Sequence, residues 1–336
     1  MGVREQLRLR GERQAKLLRA LRKAASLRRC ADRTDRIRPR DILAFVTLRN
    51  ELPRLPYFLE YYRAQGVAHF LMVDNGSDDG TREWLEKQRD VSLWTTPASY
   101  KAAGFGIDWL NHLLWRFGAG HWCLTLDVDE FLVYPFCDTR PLSALTDWLE
   151  AQGRRSFSAM LLDMYPKGAI SAQPYASGQN PFEIARWFDA GNHVISRNPK
   201  YHNLWIQGGV RQRVILRDSP EQAPALNKIP LVLWTRKYAY KSSTHMLLPR
   251  GLNKVYDAGG GELASGVLLH AKFLDLVVDK AQEELQRGQH YAGSREYRAY
   301  ADTLARDQDL WCEWSQEYIN WRQLEILGLM SKGDWA

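Results

Sequence analysis

The stretch DILAFVTLRNELPRLPYFLEYYRAQGVAHFLMVDNGSDDGT, Asp41 to Thr81, decides the fold class. Its first part, DILAFVTLRNE, is a continuous apolar run of buried-strand type that ends in polar residues. LPYFLEYYRAQG reads as a helix closed by Gly66. AHFLMVDNGSDDGT is a second strand running into a turn of Asn, Gly, Ser and Asp. Working outward, TREWLEKQ is a helix with Thr81 or Asp79 as N-cap, VSLWTTP a third strand, FGIDWLNHLLWRFG a third helix and HWCLTLDVDE a fourth strand. Strand and helix alternating over short links predict an α/β fold with a mostly parallel, doubly wound sheet. Such sheets bind ligands beyond the carboxyl ends of their strands.

Past Pro141 the regularity fades. A helix is expected over 141–152 and a strand at SAMLLDMYP; residues 166–230 are rich in Gly, Pro, Asn and Gln. GVLLHAKFL is another buried strand, and 275–325 reads as helical and amphipathic. The 336 residues fit one large domain, or two small ones sharing a core. Four scattered cysteines give neither metal-site spacing nor a disulfide framework, so a reducing, cytoplasmic setting is the simplest expectation. Nowhere do ~18 apolar residues run together, as a membrane span requires.

Charge divides the chain. Of 46 Arg and Lys, 14 fall in residues 1–40, with only 4 of the 39 Asp and Glu. The remaining body is nearly neutral, which argues against a nucleic-acid partner. Residues 5–29 have the composition of a basic amphipathic helix, suited either to an anionic membrane surface or to a solvated tail. The expected organisation is a basic tail over 1–40, a catalytic domain over 41–275 divided near 140 into a nucleotide half and an acceptor half, and a helical extension over 276–336.

LTLDVDEFLVYP, Leu124 to Pro135, carries the chemistry: an apolar run stops at Asp127, Asp129 and Glu130, then resumes. On a continuing strand Asp127 and Asp129 share a side, roughly 6–7 Å apart. At an effective dielectric of ~20 they repel by about 2.5 kcal/mol, a penalty that a divalent cation removes. Oxygen ligands suit Mg²⁺ or Mn²⁺. The bland alternative is a pair of solvated acids capping a loop. Glu130 would face away, as a structural or supporting carboxylate. Asp74, ending the second strand, is placed to accept a hydrogen bond from a base or ribose; its alternative is a helix-capping turn. No glycine-rich dinucleotide or P-loop motif follows the first strand.

In this order LRNE, VDNGSDDGT and LDVDEFLVYP resemble the glycosyltransferase family two-like proteins of GT-A fold, strongly over about 42–135 and more loosely through GGVRQRV, NKIPLVLW, SSTH and LLHAKFL. The resemblance implies a nucleotide-sugar donor, most often UDP-linked, and Mn²⁺ or Mg²⁺; the expected acceptor is a cell-surface glycan or glycolipid, and the charge of the N-terminal helix alone suggests that the enzyme meets it at the inner membrane face. It implies that Thr47, Asn50, Glu51, Asp74, Asp78 and Asp127 line the donor site; Lys228 joins them on its charge, as a cation able to contact the diphosphate. Asp127, Asp129 and a late histidine, His270 first and His245 second, would hold the metal. The acid pair that these proteins commonly carry after Gly-Gly is missing behind Gly208–Gly209, which leaves Asp189 and His245 as first candidates for general base, with Asp218 and Asp257 behind them. Two other readings compete: a nucleotidyltransferase acting on a sugar phosphate, and an inactive sugar-binding or scaffold protein.

Overall fold

A computed structural model describes residues 3–255, 260–277, 280, 283 and 308–336. Helix α1 (Val3–Ala24) precedes β1 (Arg28–Ala31), β2 (Ile42–Leu48), α2 (Leu55–Ala64), β3 (Val67–Asp74), α3 (Thr81–Leu85), β4 (Val91–Thr95), α4 (Ile107–Leu113) and β5 (Trp122–Leu126). Then follow β6 (Glu130–Val133), α5 (Leu142–Ala151), β7 (Ser156–Asp163), β8 (Trp187–Phe188), β9 (His193–Arg197) and β10 (Leu204–Gly208). The last strands are β11 (Asn227–Leu233), β12 (Ala239–Ser242), β13 (Met246–Leu248), β14 (Ser265–His270) and β15 (Gln316–Glu317), with a short helix at Trp321–Ile326.

One nine-stranded sheet, ordered β1-β4-β3-β2-β5-β11-β7-β14-β6, organises the chain. β2, β3, β4, β5, β7 and β14 run one way; β1, β11 and β6 run against them. The fold is therefore α/β with a mostly parallel sheet, as the strand–helix alternation predicts. Side chains alternate faces along a strand. Ala44 and Val46 of β2 pack with Phe58, Leu59 and Tyr62 of α2 and with Leu145 and Leu149 of α5. Leu43 and Phe45 pack on the other face with Trp109, Leu110 and Leu113 of α4. The sheet runs through both expected halves, since β11, β7 and β14 join strands from before residue 140.

The link from β5 to β6 shapes the site. Four inter-strand steps separate the two in the sheet, about 19 Å along a flat one. Leu126 to Glu130 spans at most about 14 Å. The sheet must curl so that the carboxyl end of β5 approaches that of β14.

Two expectations are corrected. Residues 1–40 are not a separate tail. α1 lies along α4, where Arg19 Nε meets the buried Asp108 Oδ2 at 2.7 Å, and Glu12 joins Lys200 at 2.8 Å and the Tyr201 hydroxyl at 2.9 Å. β1 adds an edge strand to the main sheet. Basic residues that look solvated in sequence find carboxylates on other elements. In the C-terminal extension the described residues Leu276, Val277, Lys280 and Glu283 are helical, as expected, and Trp321–Ile326 is a short helix, but residues 308–320 and 327–336 are not. β15 pairs with β8, and Trp335 packs beside Tyr134 and Trp148 on the body. The rest of the helical expectation, and Asp257, lie outside the described residues.

Candidate active site

At the carboxyl end of β5 the chain does not continue as a strand. It turns at once, with the Glu130 amide donating to the Asp127 carbonyl at 3.1 Å. The turn parts the two aspartates, correcting the expectation that they share one side. Asp127 stays exposed and points to Lys228 Nζ at 3.6 Å. Asp129 faces His270, with Oδ2 3.3 Å from Nε2. Its backbone carbonyl accepts from the Ala271 amide at 2.8 Å, tying the turn to the end of β14. From α2, the Tyr62 hydroxyl donates to the Glu130 carbonyl at 2.8 Å and accepts from the Leu132 amide at 2.9 Å, fixing β6.

Glu130 takes the supporting role expected of it, but its side chain lies on the side of Asp127 and does not face away from it. Its side chain is buried and its Oε1 meets Lys228 Nζ at 2.8 Å. Burial pushes its carboxyl up, against the pull of Lys228. Lys228 is held above the ordinary lysine range: burial would lower it, and Glu130 and Asp127 outweigh burial.

His270 sits between two strands in register, opposite Asp163 on β7 and Glu130 on β6. Its Nδ1–H donates to Asp163 Oδ1 at 2.6 Å. The other oxygen of Asp163 accepts from Arg211 Nε at 2.6 Å. Burial opposes a charge on the imidazole, but Asp129 and Asp163 raise its pKa. Asp163 itself is lowered to about 2, because Arg211 and His270 outweigh its burial. The cluster thus sets two fixed cations, Arg211 and Lys228, against four carboxylates. Among the described residues no group of three His, Cys, Asp or Glu is gathered as metal ligands.

The residues expected around a donor lie beyond β2 and β3. Asp74 is buried and committed to its own turn: it accepts from the Ser77 amide at 3.1 Å, from the Ser77 hydroxyl, and from the Thr95 hydroxyl at 3.3 Å. Asn50 accepts from the Asp78 amide at 3.0 Å and donates to Glu283 at 3.2 Å. Glu51 is buried between Arg54, at 3.0 Å, and Lys280. Asp78 is exposed, 3.5 Å from Arg49. The Thr47 hydroxyl is buried without a hydrogen-bond partner among the described residues. It lies under Gly106, where an added Cβ would come within 2.9 Å of Thr47 Cγ2 and where φ is +77°. Gly106 lets that loop close over the end of β2.

Neither first candidate for general base suits that task. Asp189 is buried and bidentate with Arg213, at 2.9 and 3.0 Å, and it accepts from the Tyr165 hydroxyl. Its oxygens are spent on holding the loop before β9 to the residues after β10. Asp189→Asn should therefore cost about 3 kcal/mol of stability by breaking a buried pair, read by urea unfolding, with turnover per folded molecule unchanged. A collapse of turnover at unchanged stability would return Asp189 to catalysis. Asp218 is exposed, 3.6 Å from Arg217.

His245 donates Nδ1–H to the Asn227 carbonyl at 2.6 Å. Burial, then Lys228, depresses its pKa to about 3 despite that hydrogen bond. A base so weak is poorly matched to proton abstraction near neutrality. It does bear on stability. Because its folded pKa lies below the unfolded value of about 6.5, its contribution is complete above that value and is lost as pH falls towards 3. His245→Gln should flatten the fall in unfolding free energy between about pH 6.5 and 4. An acid limb that matches wild type would refute this.

Sequence reading overlooked Asp163, although an acid ending a buried strand, as Asp74 does, was the available signal. The register of β7 with β14 brings it to His270. Among the described residues, no helix is long and apolar enough to cross a membrane. No protein-family model matches the chain, and no curated protein matches its sequence. Among matching solved structures is a protein of Bacillus anthracis, assigned as a glucose-1-phosphate thymidylyltransferase and solved with a sucrose. It is 10% identical, over 81% of this chain and 98% of that one, with a TM-score of 0.28, too low to bear on function.

Proposed function

We propose that the protein is a metal-dependent glycosyltransferase that moves a sugar from a nucleotide-sugar donor to a glycan or glycolipid acceptor. The observation that carries this reading is the Asp127–Asp129 turn at the carboxyl end of β5, with His270 brought 3.3 Å from Asp129. The side chains suit a Mn²⁺ or Mg²⁺ ion. Asp163 engages His270 Nδ1, so Nε2, which faces Asp129 Oδ2, would be the ring nitrogen offered to a cation once it gives up its proton. Asp129 and His270 would hold the ion, with Asp127 reaching in from the exposed side of the turn. A bound cation would supply charge stabilisation to a departing nucleoside diphosphate.

The chain's own residues have separable tasks. Asp163 and Arg211 hold the imidazole in place. Lys228, between Glu130 and Asp127, keeps a fixed positive charge beside the turn. The test is a thermal-shift screen of nucleotide sugars with and without Mn²⁺, followed by product analysis. A metal-dependent shift and release of a nucleoside diphosphate are expected. Pyrophosphate as product would indicate nucleotidyl transfer instead, and the absence of any nucleotide-dependent shift would overturn the reading.

A further inference from the structure

At the end of the sheet opposite the acidic turn, a cavity of about 560 Å³ lies between α1, the link after β11, and Pro249–Arg250. The two ends are fixed by register: Leu233, shortly before Lys237, pairs with Trp122 at the start of β5, whereas Asp127 follows its end. Arg10, Arg13, Lys237 and Arg250 line the cavity together with Gln6, Leu9 and Pro249, and no acidic residue is among them. Arg250 is held in position by Glu5 at 3.3 Å and the Lys200 carbonyl at 2.9 Å. The side chains of Arg10, Arg13 and Lys237 make no hydrogen bond or ion pair among the described residues, and Arg13 Nε is buried without an acceptor.

We propose that this cavity binds a phosphate group. A buried guanidinium N–H without an acceptor costs free energy that a ligand oxygen recovers. Several cations around one cavity suit a multiply charged oxyanion, and planar guanidinium groups bind phosphate oxygens in pairs. A single carboxylate would leave most of these cations unpaired. An anionic phospholipid headgroup and a soluble phosphate compound share this chemistry. The neighbouring surface of α1 favours the lipid. Leu7, Leu18 and Leu21 are 58%, 54% and 44% exposed, and their spacing puts them on one helical face, with Arg4 and Arg22 alongside. Lipid phosphate in the cavity would bring those leucines to the acyl boundary. The inference stands apart from sugar transfer, because it uses no residue of the acidic cluster and is read by binding alone.

The test uses the full-length chain in chelator, so that no metal-bound anion at the acidic turn contributes. Two probes are used: sodium pyrophosphate by titration calorimetry, and sedimentation with vesicles of phosphatidylcholine with and without phosphatidylglycerol. Arg13→Gln/Lys237→Gln is compared with Arg4→Gln/Arg22→Gln, which removes equal charge from the outer face of α1. Arg10→Gln, exposed on the helix, guards against misfolding of the first pair. The cavity variants should weaken binding about tenfold or more, and the outer pair should do much less. Loss confined to phosphatidylglycerol vesicles assigns the site to lipid phosphate; loss confined to pyrophosphate assigns it to a soluble ligand. If wild type binds neither probe, or the cavity variants lose no more than the outer pair, the site does not exist.

Discussion

Asp129→Asn should lower turnover of the nucleotide-sugar donor by about 10²- to 10³-fold, the cost of removing one well-placed charge-stabilising group. Asparagine keeps the shape of the turn and leaves the Asp129 backbone carbonyl free to accept from Ala271. What it removes is charge. Burial alone would raise the Asp129 pKa, but His270 outweighs burial and holds the carboxyl far below its usual range. The informative comparison is Asp163→Asn. Asp163 is a positioning residue, bonded to the far nitrogen of His270. Its loss should cost 10- to 100-fold, as for other groups that orient a metal-binding imidazole, and should raise the Mn²⁺ concentration needed for half-maximal activity. Nucleoside diphosphate release, measured across a Mn²⁺ series, reads both effects. Wild-type turnover in Asp129→Asn would show that the turn holds nothing the reaction needs. An unchanged Mn²⁺ requirement in Asp163→Asn would remove His270 from the site.

The parts of this site that sequence could reveal are those set by local pattern. The apolar run into Thr47, the helix closed by Gly66 and the strand ending at Asp74 all appear where their patterning puts them. Harder to read are elements whose identity depends on distant chain. β11 carries Pro230 in its middle, which argues against a central strand. The register shift between Lys228 and Leu231 accommodates it and leaves Lys228 turned towards Glu130. β1 is short and charged, as edges tend to be, and lacks a periodic signature. β6 follows Asp129 so closely that it reads as a continuation of β5; only the curl of the sheet sends it to the far edge. His270 could be singled out as a histidine ending a buried strand, yet its two carboxylate partners come from β7 and the turn. Pairing across strands 107 and 141 residues away is not encoded in any local stretch.

The Lys228–Glu130 pair gives the largest expected effect on stability. Their charged groups lie 2.8 Å apart, with side-chain exposures of 5% and 1%. Lys228→Met keeps most of the aliphatic stem but leaves Glu130 buried without its cation. Breaking a buried pair on one side costs about 3–5 kcal/mol, comparable to a large part of the stability of a typical domain. Glu130→Gln should cost less, since a neutral amide still offers the ammonium an oxygen and Asp127 remains 3.6 Å from it. The double variant, Lys228→Met with Glu130→Gln, should be more stable than the sum of the two losses predicts, because no buried charge is then left alone. A coupling of about 2 kcal/mol, within the range for residues in direct contact, is expected from urea unfolding of the four proteins. Additive losses would mean that the two groups are solvated separately. The same four proteins separate structure from function. If Lys228 also meets the donor, the double variant will regain stability without regaining turnover. If its role is confined to neutralising Glu130, both will return together.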